Sequence, residues 1–327
     1  MAKRDAPAII SKPNDLARGG FDRLPPIVSN SGAAASVKFI EFFAVTIRNR
    51  NTRAAYVQAV LQFLSWCEAR NIRSLRDVQP VTIALYIEKH ELSVPTIKQH
   101  LAAIRKLFDW LVTGQIIPYS PATSVRGPRH VVTRGKTPIL SVDQARSLLD
   151  SIDTSTIVGL RDRALIGIMV YSFARVTAVI KMRRRDYFQD RKRWKFRLHE
   201  KGGKRHDVPA HHNAEEYLDA YLDAATFEKD AKALLFRTID RKGMMTNRGM
   251  SRTDVLKMVK RRAKKAGLPF STCCHTFRGT GITAYLENGG TIENAQAIAA
   301  HASPKTTKLY DRTSDEITLD EIERIVI

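Results

Sequence analysis

Cysteine is scarce in this chain. Only Cys67, Cys273 and Cys274 occur in 327 residues, which is too few for a disulfide framework. The adjacent pair Cys273-Cys274 beside His275 also lacks the spacing of a zinc site, whose paired ligands are usually separated by about two to five residues. We therefore expect reduced cysteines with structural roles and no bound metal.

Long apolar runs are missing as well. No segment approaches the ~18 uncharged apolar residues of a membrane span, and the N-terminal stretch MAKRDAPAIISKPND lacks the apolar core of a signal peptide. The sequence therefore predicts a cytoplasmic protein with no membrane partner.

Acidic residues are in short supply too. The chain has 33 Asp and Glu against 54 Lys and Arg, which gives a formal net charge of +21. The basic surplus lies outside the C-terminal tail, which is itself acidic. Such a surplus indicates a polyanionic partner, and nucleic acid is the leading candidate. Hydrophobic residues make up 43% of the chain, which predicts a packed globular core.

Composition and periodicity divide the chain into five parts. Residues 1–32 are rich in Pro, Gly, Ser and Asn without a sustained period, and we expect a flexible arm there. Residues 33–117 contain helical patterns and form a first domain. Residues 118–138 carry Pro, Gly and Arg, which is typical of a basic linker. A second domain is predicted over residues 139–310, followed by an acidic tail at 311–327.

The first domain and the linker are expected to contact DNA. The last helix of that domain, in SVPTIKQHLAAIRKLFDWLV, has one apolar face and one polar face. The polar side chains suit bases and phosphates, although a solvated face has the same pattern. The candidate DNA-binding residues, including one at a hairpin in the second domain, are Lys98, Gln99, Arg105, Lys106, Arg126, Arg129, Arg134, Lys136 and Lys204.

The second domain contains one clear strand pattern. Apolar and polar residues alternate in WKFRLHE, KGGK supplies a turn, and RHDVP is the return strand. This predicts a β-hairpin with Lys201 and Lys204 at its tip. The remaining segments have helical periods, so the expected fold is mainly α with a small antiparallel β-sheet.

Several basic residues and one tyrosine have no packing role that periodicity explains. His275 and Arg278 lie three apart at a predicted helix start, which suits a phosphate, although a structural role is commoner for such a pair alone. Arg175 ends an apolar run, where a bound phosphate or an internal carboxylate should neutralise it. His301 follows a helix end, and Tyr310 lies nine residues later in an exposed-looking segment.

In this order the motifs resemble those of the tyrosine recombinases of the phage-integrase type. The matching stretches are ARVTAV with Arg175, EKGGKRHDVP with Lys201, CHTFRGTGIT with His275 and Arg278, AAHASPKTTKLY with His301, and TTKLYD with Tyr310. The resemblance extends from about residue 36 to the end of the chain. It implies a four-helix, SAM-like core-binding domain, an α+β catalytic domain, and a site-specific recombinase of a bacterial mobile element.

The resemblance also implies a mechanism. Tyr310 would attack a phosphodiester, forming a 3′-phosphotyrosyl bond and releasing a 5′-hydroxyl. Arg175, Arg278 and His301 would bind the phosphate. Because the protein–DNA ester conserves the energy of the cleaved bond, no ATP, metal or other cofactor would be needed.

Proton transfer is implied for three other residues. Lys201 would protonate the leaving oxygen, with Lys204 across the same turn as a rival, and His275 would assist proton loss from the tyrosine. The implied partners are double-stranded DNA with a specific recombination site, other copies of the chain in a tetramer on that DNA, and accessory DNA-bending proteins. The chain alone is expected to be a monomer in solution, and strand exchange would pass through a four-way junction.

Two motifs depart from the family pattern. Gly-Leu commonly precedes the first arginine and an acidic residue follows it by three, whereas this chain has Phe173-Ala174 and Ala178. Asp186 or a backbone carbonyl would then have to hold Arg175. A smaller departure is Gly279, which stands where Lys, His or Ala is more usual.

The missing carboxylate keeps alternatives open. One is a non-catalytic DNA-binding protein on the same fold, and another is a type IB topoisomerase-like nicking and closing enzyme with the same tyrosine chemistry. A metal-dependent transposase would instead need three converging carboxylates. The tail at 311–327 either caps its own domain or docks on a neighbouring protomer.

Overall fold

The chain folds into two compact units, Met1–Val131 and Val132–Ile327, which divide inside the segment expected to be a linker. The structure is a computed structural model, and it describes residues 24–89, 91–130, 132, 135–200, 203–225, 230–311 and 322–323. Lys201 and Arg134 fall outside these residues, as does the tail except for residues 311, 322 and 323, so the prediction for tail docking is not addressed by the described structure.

The first unit is helical. Its elements are α1 (Pro26–Ser29), α2 (Ala33–Glu41), a π-helical turn (Phe42–Thr46), α3 (Arg50–Glu68), a 3₁₀ turn (Leu75–Asp77), α4 (Pro80–Glu88) and α5 (Val94–Thr113). Helix α3 begins where the Asn49 side chain accepts hydrogen bonds from the backbone N–H groups of Asn51 and Thr52. Pro80 and Pro95 lie in the first turns of α4 and α5, where a missing N–H costs nothing.

The predicted apolar face of α5 lies in the core of this unit. Its buried side chains include Ile97, Leu101, Ile104, Phe108 and Leu111. Phe63 of α3 meets the rings of Tyr86 and Phe108 edge to face, a geometry that aromatic pairs favour. The helical first domain is confirmed.

The start of this unit corrects one prediction. Residues 26–29 form α1 inside the segment 1–32 that was expected to be a flexible arm, and Ile27 and Val28 are fully buried. The backbone N–H of Ile27 donates to Oε1 of Glu68 at 3.0 Å. The arm prediction is therefore wrong for this stretch, because a one-turn helix is too short to show a period in the sequence.

The second unit combines helices with two small sheets. Its elements are α6 (Val142–Asp150), α7 (Ile157–Tyr171), α8 (Val176–Val179), β1 (Tyr187–Asp190), β2 (Arg193–His199), β3 (Arg205–Pro209), α9 (His212–Ala224), β4 (Arg237–Ile239), β5 (Met245–Gly249), α10 (Arg252–Lys265), α11 (Cys274–Glu287), α12 (Ile292–Ile298) and α13 (Pro304–Lys308). Strands β1, β2 and β3 form an antiparallel sheet in that order, and β4 pairs with β5.

Helix α7 lies at the centre of this unit and packs against α9 and α11. In the sheet, Phe196 of β2 is paired with Tyr187 on one side and Val208 on the other, and all three side chains are buried. The predicted β2–β3 hairpin is confirmed, and so is the mainly α fold with small antiparallel sheets. No helix in the described part of the chain has both the length and the apolar character of a membrane span.

One buried carboxylate ties α7 to α10. Asp162 is fully buried and accepts hydrogen bonds from the guanidinium groups of Arg161, Arg261 and Arg262, with the Arg262 contacts at 2.8 and 3.0 Å. A buried ion that is paired and fully hydrogen-bonded avoids most of the cost of losing water. This cluster fixes the two helices against each other.

Candidate active site

Five of the six predicted catalytic residues lie in the described part of the chain, and they meet around one tyrosine. Tyr310 Oη lies 2.5 Å from Nε2 of His275, and the His301 ring lies nearly parallel to the tyrosine ring. Arg175 and Arg278 are close enough that both lower the pKa of His275 and His301. The structure therefore brings together residues that are up to 135 positions apart in the sequence.

Helix α11 supplies two of these residues. The backbone N–H of Cys273 donates to the Thr276 hydroxyl at 3.1 Å, which completes a capping box at the helix start. His275 and Arg278 follow in the first turn and the next, so they share one face. The three-residue spacing read from the sequence is thus sufficient to place both groups at one site.

Arg278 is held rigidly inside the unit. Its side chain is fully buried, with Nη1 donating to the carbonyl of Phe173 and Nη2 donating to the carbonyl of Ala299 at 2.6 Å. Burial, followed by repulsion from Arg175, lowers its pKa to about 10, so it remains cationic at neutral pH. Its Nε–H is buried without an acceptor among the described residues, and such a donor suits an incoming anion.

The two carbonyl acceptors are aimed by unusual backbone conformations. Phe173 has a φ of 53° and Ala300 a φ of 47°, in the left-handed region that non-glycine residues seldom enter. Phe173 stands where the family commonly has glycine. Its buried ring packs near Tyr285 and against Gly281, where a Cβ would lie 2.9 Å from the phenyl Cδ1. The buried aromatic packing therefore offsets a backbone strain of order 1–3 kcal/mol.

Tyr310 is buried rather than exposed. Only 6% of the surface of Tyr310 is accessible. The expectation that this tyrosine lies in an exposed segment is therefore wrong. The Thr283 hydroxyl donates to the Tyr310 carbonyl at 2.7 Å. A Cβ on Gly279 would lie 3.3 Å from two carbons of the tyrosine ring, so the glycine at this departure from the family pattern lets α11 approach the ring closely. The neighbouring Leu309 carbonyl accepts a hydrogen bond from the N–H of Gly135 at 3.1 Å.

His275 is placed to take a proton from the tyrosine. Burial raises the pKa of Tyr310, while Arg278 and Arg175 oppose that rise. Burial, with the two guanidiniums, lowers the pKa of His275. His275 is therefore neutral at pH 7, and its Nε2 can accept the phenolic proton across the 2.5 Å hydrogen bond.

His301 lies beside the tyrosine, with its ring nearly parallel to the phenol. The two ring centroids are 6.0 Å apart with 9° between the planes, and His301 Nδ1 lies 2.9 Å from the hydroxyl of Thr307. Burial, followed by Arg278, Arg175 and His275, lowers its pKa to about 3. His301 is thus a neutral imidazole whose orientation is fixed by Thr307, a residue that sequence reasoning missed.

Arg175 is paired with Glu200, which corrects the expected partner. Glu200 Oε2 accepts from Nη1 of Arg175, and its side chain is 4% exposed against 32% for the arginine. Asp186 instead accepts the backbone N–H of Arg183 at 2.8 Å, and Ala178 is buried in the core. The β2–β3 hairpin therefore supplies the carboxylate that position 178 lacks. In the sequence, the one indication of this partner was a glutamate beside Lys201 in an otherwise basic segment.

Lys204 lies near the same residues. With His301 it lines an open cavity of about 350 Å³, whose other walls are Glu293, Gln296, Ala297 and Ala300. The base of the predicted hairpin turn is therefore adjacent to the cluster around Tyr310.

The candidate DNA-contact residues fall into different environments. Exposed positions are Lys98, Lys106, Arg126, Arg129, Lys136 and Lys204, and Gln99 is half-buried. Arg105 differs, because its guanidinium donates to the carbonyls of Ala122 and Val125. These hydrogen bonds tie its side chain to Ala122 and Val125 of the same unit, and its role in DNA contact stays a prediction. Among the described residues, no group of three His, Cys, Asp or Glu side chains could hold a metal ion.

Comparison with known proteins identifies the family of this chain. Residues 138–316 match the family model described as Phage integrase family, and residues 39–115 match that of the Phage integrase, N-terminal SAM-like domain. The chain belongs to the phage integrase family, which comprises the tyrosine-type site-specific DNA recombinases.

Individual relatives resemble the chain over most of its length. The tyrosine recombinase XerD of Listeria innocua is 27% identical over 270 residues, covering 80% of this chain and 87% of that one. The tyrosine recombinase XerC of Chlamydia muridarum is 29% identical over 223 residues, covering 67% of each.

Solved structures share the fold at lower identity. The XerH recombinase bound to its difH substrate, in a pre-cleavage complex, has a TM-score of 0.66 at 19% identity and covers 92% of this chain and 96% of its own. A lambda integrase dimer bound to a COC′ core site has a TM-score of 0.65 at 17% identity, covering 90% and 82%. The architecture, including the order of the two units, is therefore that of the family.

Proposed function

We propose that this chain cleaves and rejoins DNA at a specific site through a 3′-phosphotyrosyl intermediate on Tyr310. The observation that carries this proposal is the 2.5 Å hydrogen bond between Tyr310 Oη and His275 Nε2, beside two guanidinium groups. A phenol with a reference pKa near ~10 is a poor nucleophile without a base or neighbouring positive charge, and this site has both.

The chemical step balances with the residues present. Tyr310 Oη gives its proton to His275 and attacks the phosphorus, and the bond from phosphorus to the 5′-oxygen breaks. The departing oxygen takes a proton from Lys201, with Lys204 the rival for that role. Attack by the 5′-hydroxyl of another strand reverses the step, so two such exchanges produce and then resolve a four-way junction.

In this proposal, side chains of this chain stabilise the negative charge of the transition state. Arg175 and the buried Arg278 bind the nonbridging oxygens, and His301 donates a further hydrogen bond from Nε2. Preorganised donors in a site shielded from water stabilise such charge without the cost of reorienting solvent. Since the ester conserves the bond energy and the guanidiniums carry the positive charge, the proposed reaction uses neither ATP nor metal.

The partner in this proposal is duplex DNA carrying a recombination site. The net charge of +21 and the exposed lysines and arginines of α5 and the linker support contact with phosphates. Two duplexes must be held together for strand exchange, so a tetramer on DNA follows from the proposed reaction, with accessory DNA-bending proteins as further partners. The related structures with bound DNA support the same partner.

The test is covalent trapping. Duplexes that bind the protein are first selected from a random pool, then given a nick beside the cleaved phosphodiester so that the short 5′-hydroxyl fragment diffuses away. With EDTA present, the wild type should accumulate a protein–DNA adduct on a denaturing gel, and Tyr310→Phe should form none. Tyr285→Phe, a matched control on α11, should behave as the wild type. Wild-type protein that binds DNA but forms no adduct would contradict the proposal.

A further inference from the structure

The carboxylate that holds Arg175 comes from a distant part of the chain. Glu200 lies 25 positions after the arginine, directly after β2, and its side chain is almost completely buried. Among the described residues, Glu200 is the hydrogen-bonding partner of Arg175. Removing one member of a buried ion pair leaves the other charge uncompensated, so the orientation of Arg175 depends on this residue.

Glu200 also has a fixed place in the hairpin turn. Its backbone N–H donates to the carbonyl of Lys204 at 2.8 Å, and its carbonyl accepts from the N–H of Gly203 at 3.3 Å. The turn between these bonds contains Lys201 in the sequence. The same residue therefore closes the base of the turn through its backbone and reaches Arg175 through its side chain.

The charge distribution gives Glu200 a second effect. Burial and then repulsion from Arg175 lower the pKa of Arg278, and Glu200 opposes that decrease. The carboxylate of Glu200 neutralises Arg175, and the carbonyl groups of Phe173 and Ala299 hold Arg278, before DNA binds. When a phosphate arrives, the guanidiniums are already oriented toward it, which reduces the reorganisation that the reaction requires.

We propose that Glu200 is a positioning residue that orients Arg175 toward the scissile phosphate and links this arginine to the hairpin turn carrying Lys201. This role rests on the proposed function of the site. Position 178 is occupied by a buried alanine, so the carboxylate beside Arg175 comes from the hairpin instead.

The test separates DNA binding from cleavage. Glu200→Gln keeps the side-chain volume and removes the charge, and Glu200→Asp keeps the charge. At saturating nicked duplex, Glu200→Gln should form the covalent adduct about 10²-fold more slowly, as expected for a misplaced catalytic group, while its Kd for DNA changes by less than about threefold. Glu200→Asp should form the adduct at least about tenfold faster than Glu200→Gln.

Asp207→Asn is the matched control. Asp207 forms a two-contact ion pair with Arg197 on the same hairpin, with both distances 2.9 Å. This variant should cleave at close to the wild-type rate. A Glu200→Gln protein that cleaves normally would overturn the inference, and so would equal losses in DNA affinity, thermal stability and rate, or a Glu200→Asp protein no faster than Glu200→Gln. If the wild type binds DNA without forming an adduct, the proposed function fails and this role fails with it.

Discussion

Acid should destabilise the second unit through His301. This imidazole is 8% exposed and lies against the ring of Tyr310, and its pKa is lowered to about 3 by burial, Arg278, Arg175 and His275. In the unfolded chain a histidine takes up a proton near pH ~6.5. Between these two values the unfolded state binds more protons, so the free energy of unfolding decreases as the pH falls.

The magnitude follows from the two pKa values. At pH 5 the unfolded imidazole is almost fully protonated and the folded one is almost fully neutral. The linkage contribution of His301 between pH 7 and pH 5 is therefore a loss of about 2 kcal/mol. For a unit of this size, that loss corresponds to a decrease in Tm of about 4–8 °C.

Calorimetry on wild type and His301→Gln at pH 7 and pH 5 isolates this contribution. Other carboxylates and histidines titrate in both proteins, so the difference between the two pH-dependent losses belongs to residue 301. The wild type should lose about 2 kcal/mol more than the variant. The His301 imidazole should also show no protonation by NMR between pH 8 and pH 5. Equal losses in both proteins, or a midpoint near pH 6, would refute the reasoning.

Two further predictions concern residues outside the expected catalytic set. Asp162→Asn should destabilise the second unit by about 3–5 kcal/mol, because it leaves three guanidiniums around a neutral amide; a change below about 1 kcal/mol in urea unfolding would contradict this. Thr307→Val should slow adduct formation about fivefold, because it removes a hydrogen bond of about 1 kcal/mol from His301. Thr307→Ser keeps the hydroxyl and should form the adduct at the wild-type rate. Equal rates for Val and Ser would show that the hydroxyl does not act on His301.

Local features were the ones that the sequence could predict. Spacing by three placed His275 and Arg278 on one helical face, and alternation predicted the β2–β3 hairpin. The apolar face of α5 was also predictable, because a long helix repeats its pattern enough times to be distinguished from chance. Strands β1, β4 and β5 are only three to five residues long, which is too short for alternation to be recognised.

Long-range pairings could not be predicted in the same way. The partner of Arg175 was expected to be Asp186 or a backbone carbonyl, yet Glu200 reaches it across 25 residues of sequence. The burial of Tyr310 depends on Gly279 in α11 and on His301, which lies in the loop between α12 and α13. Such contacts depend on the tertiary packing of several elements and produce no periodic pattern in the sequence.

The hydrogen bond between Gly135 and Leu309 affects the position of Tyr310. Gly135 belongs to the segment leading from the first unit, and a Cβ there would lie 2.7 Å from the Leu309 carbonyl oxygen, so no other residue fits without displacing it. The segment around Gly135 is thus hydrogen-bonded to the residue that precedes Tyr310. A displacement of Leu309 by a few tenths of an ångström would change the length of the hydrogen bond between Tyr310 and His275, so the segment around Gly135 helps to set the position of the tyrosine.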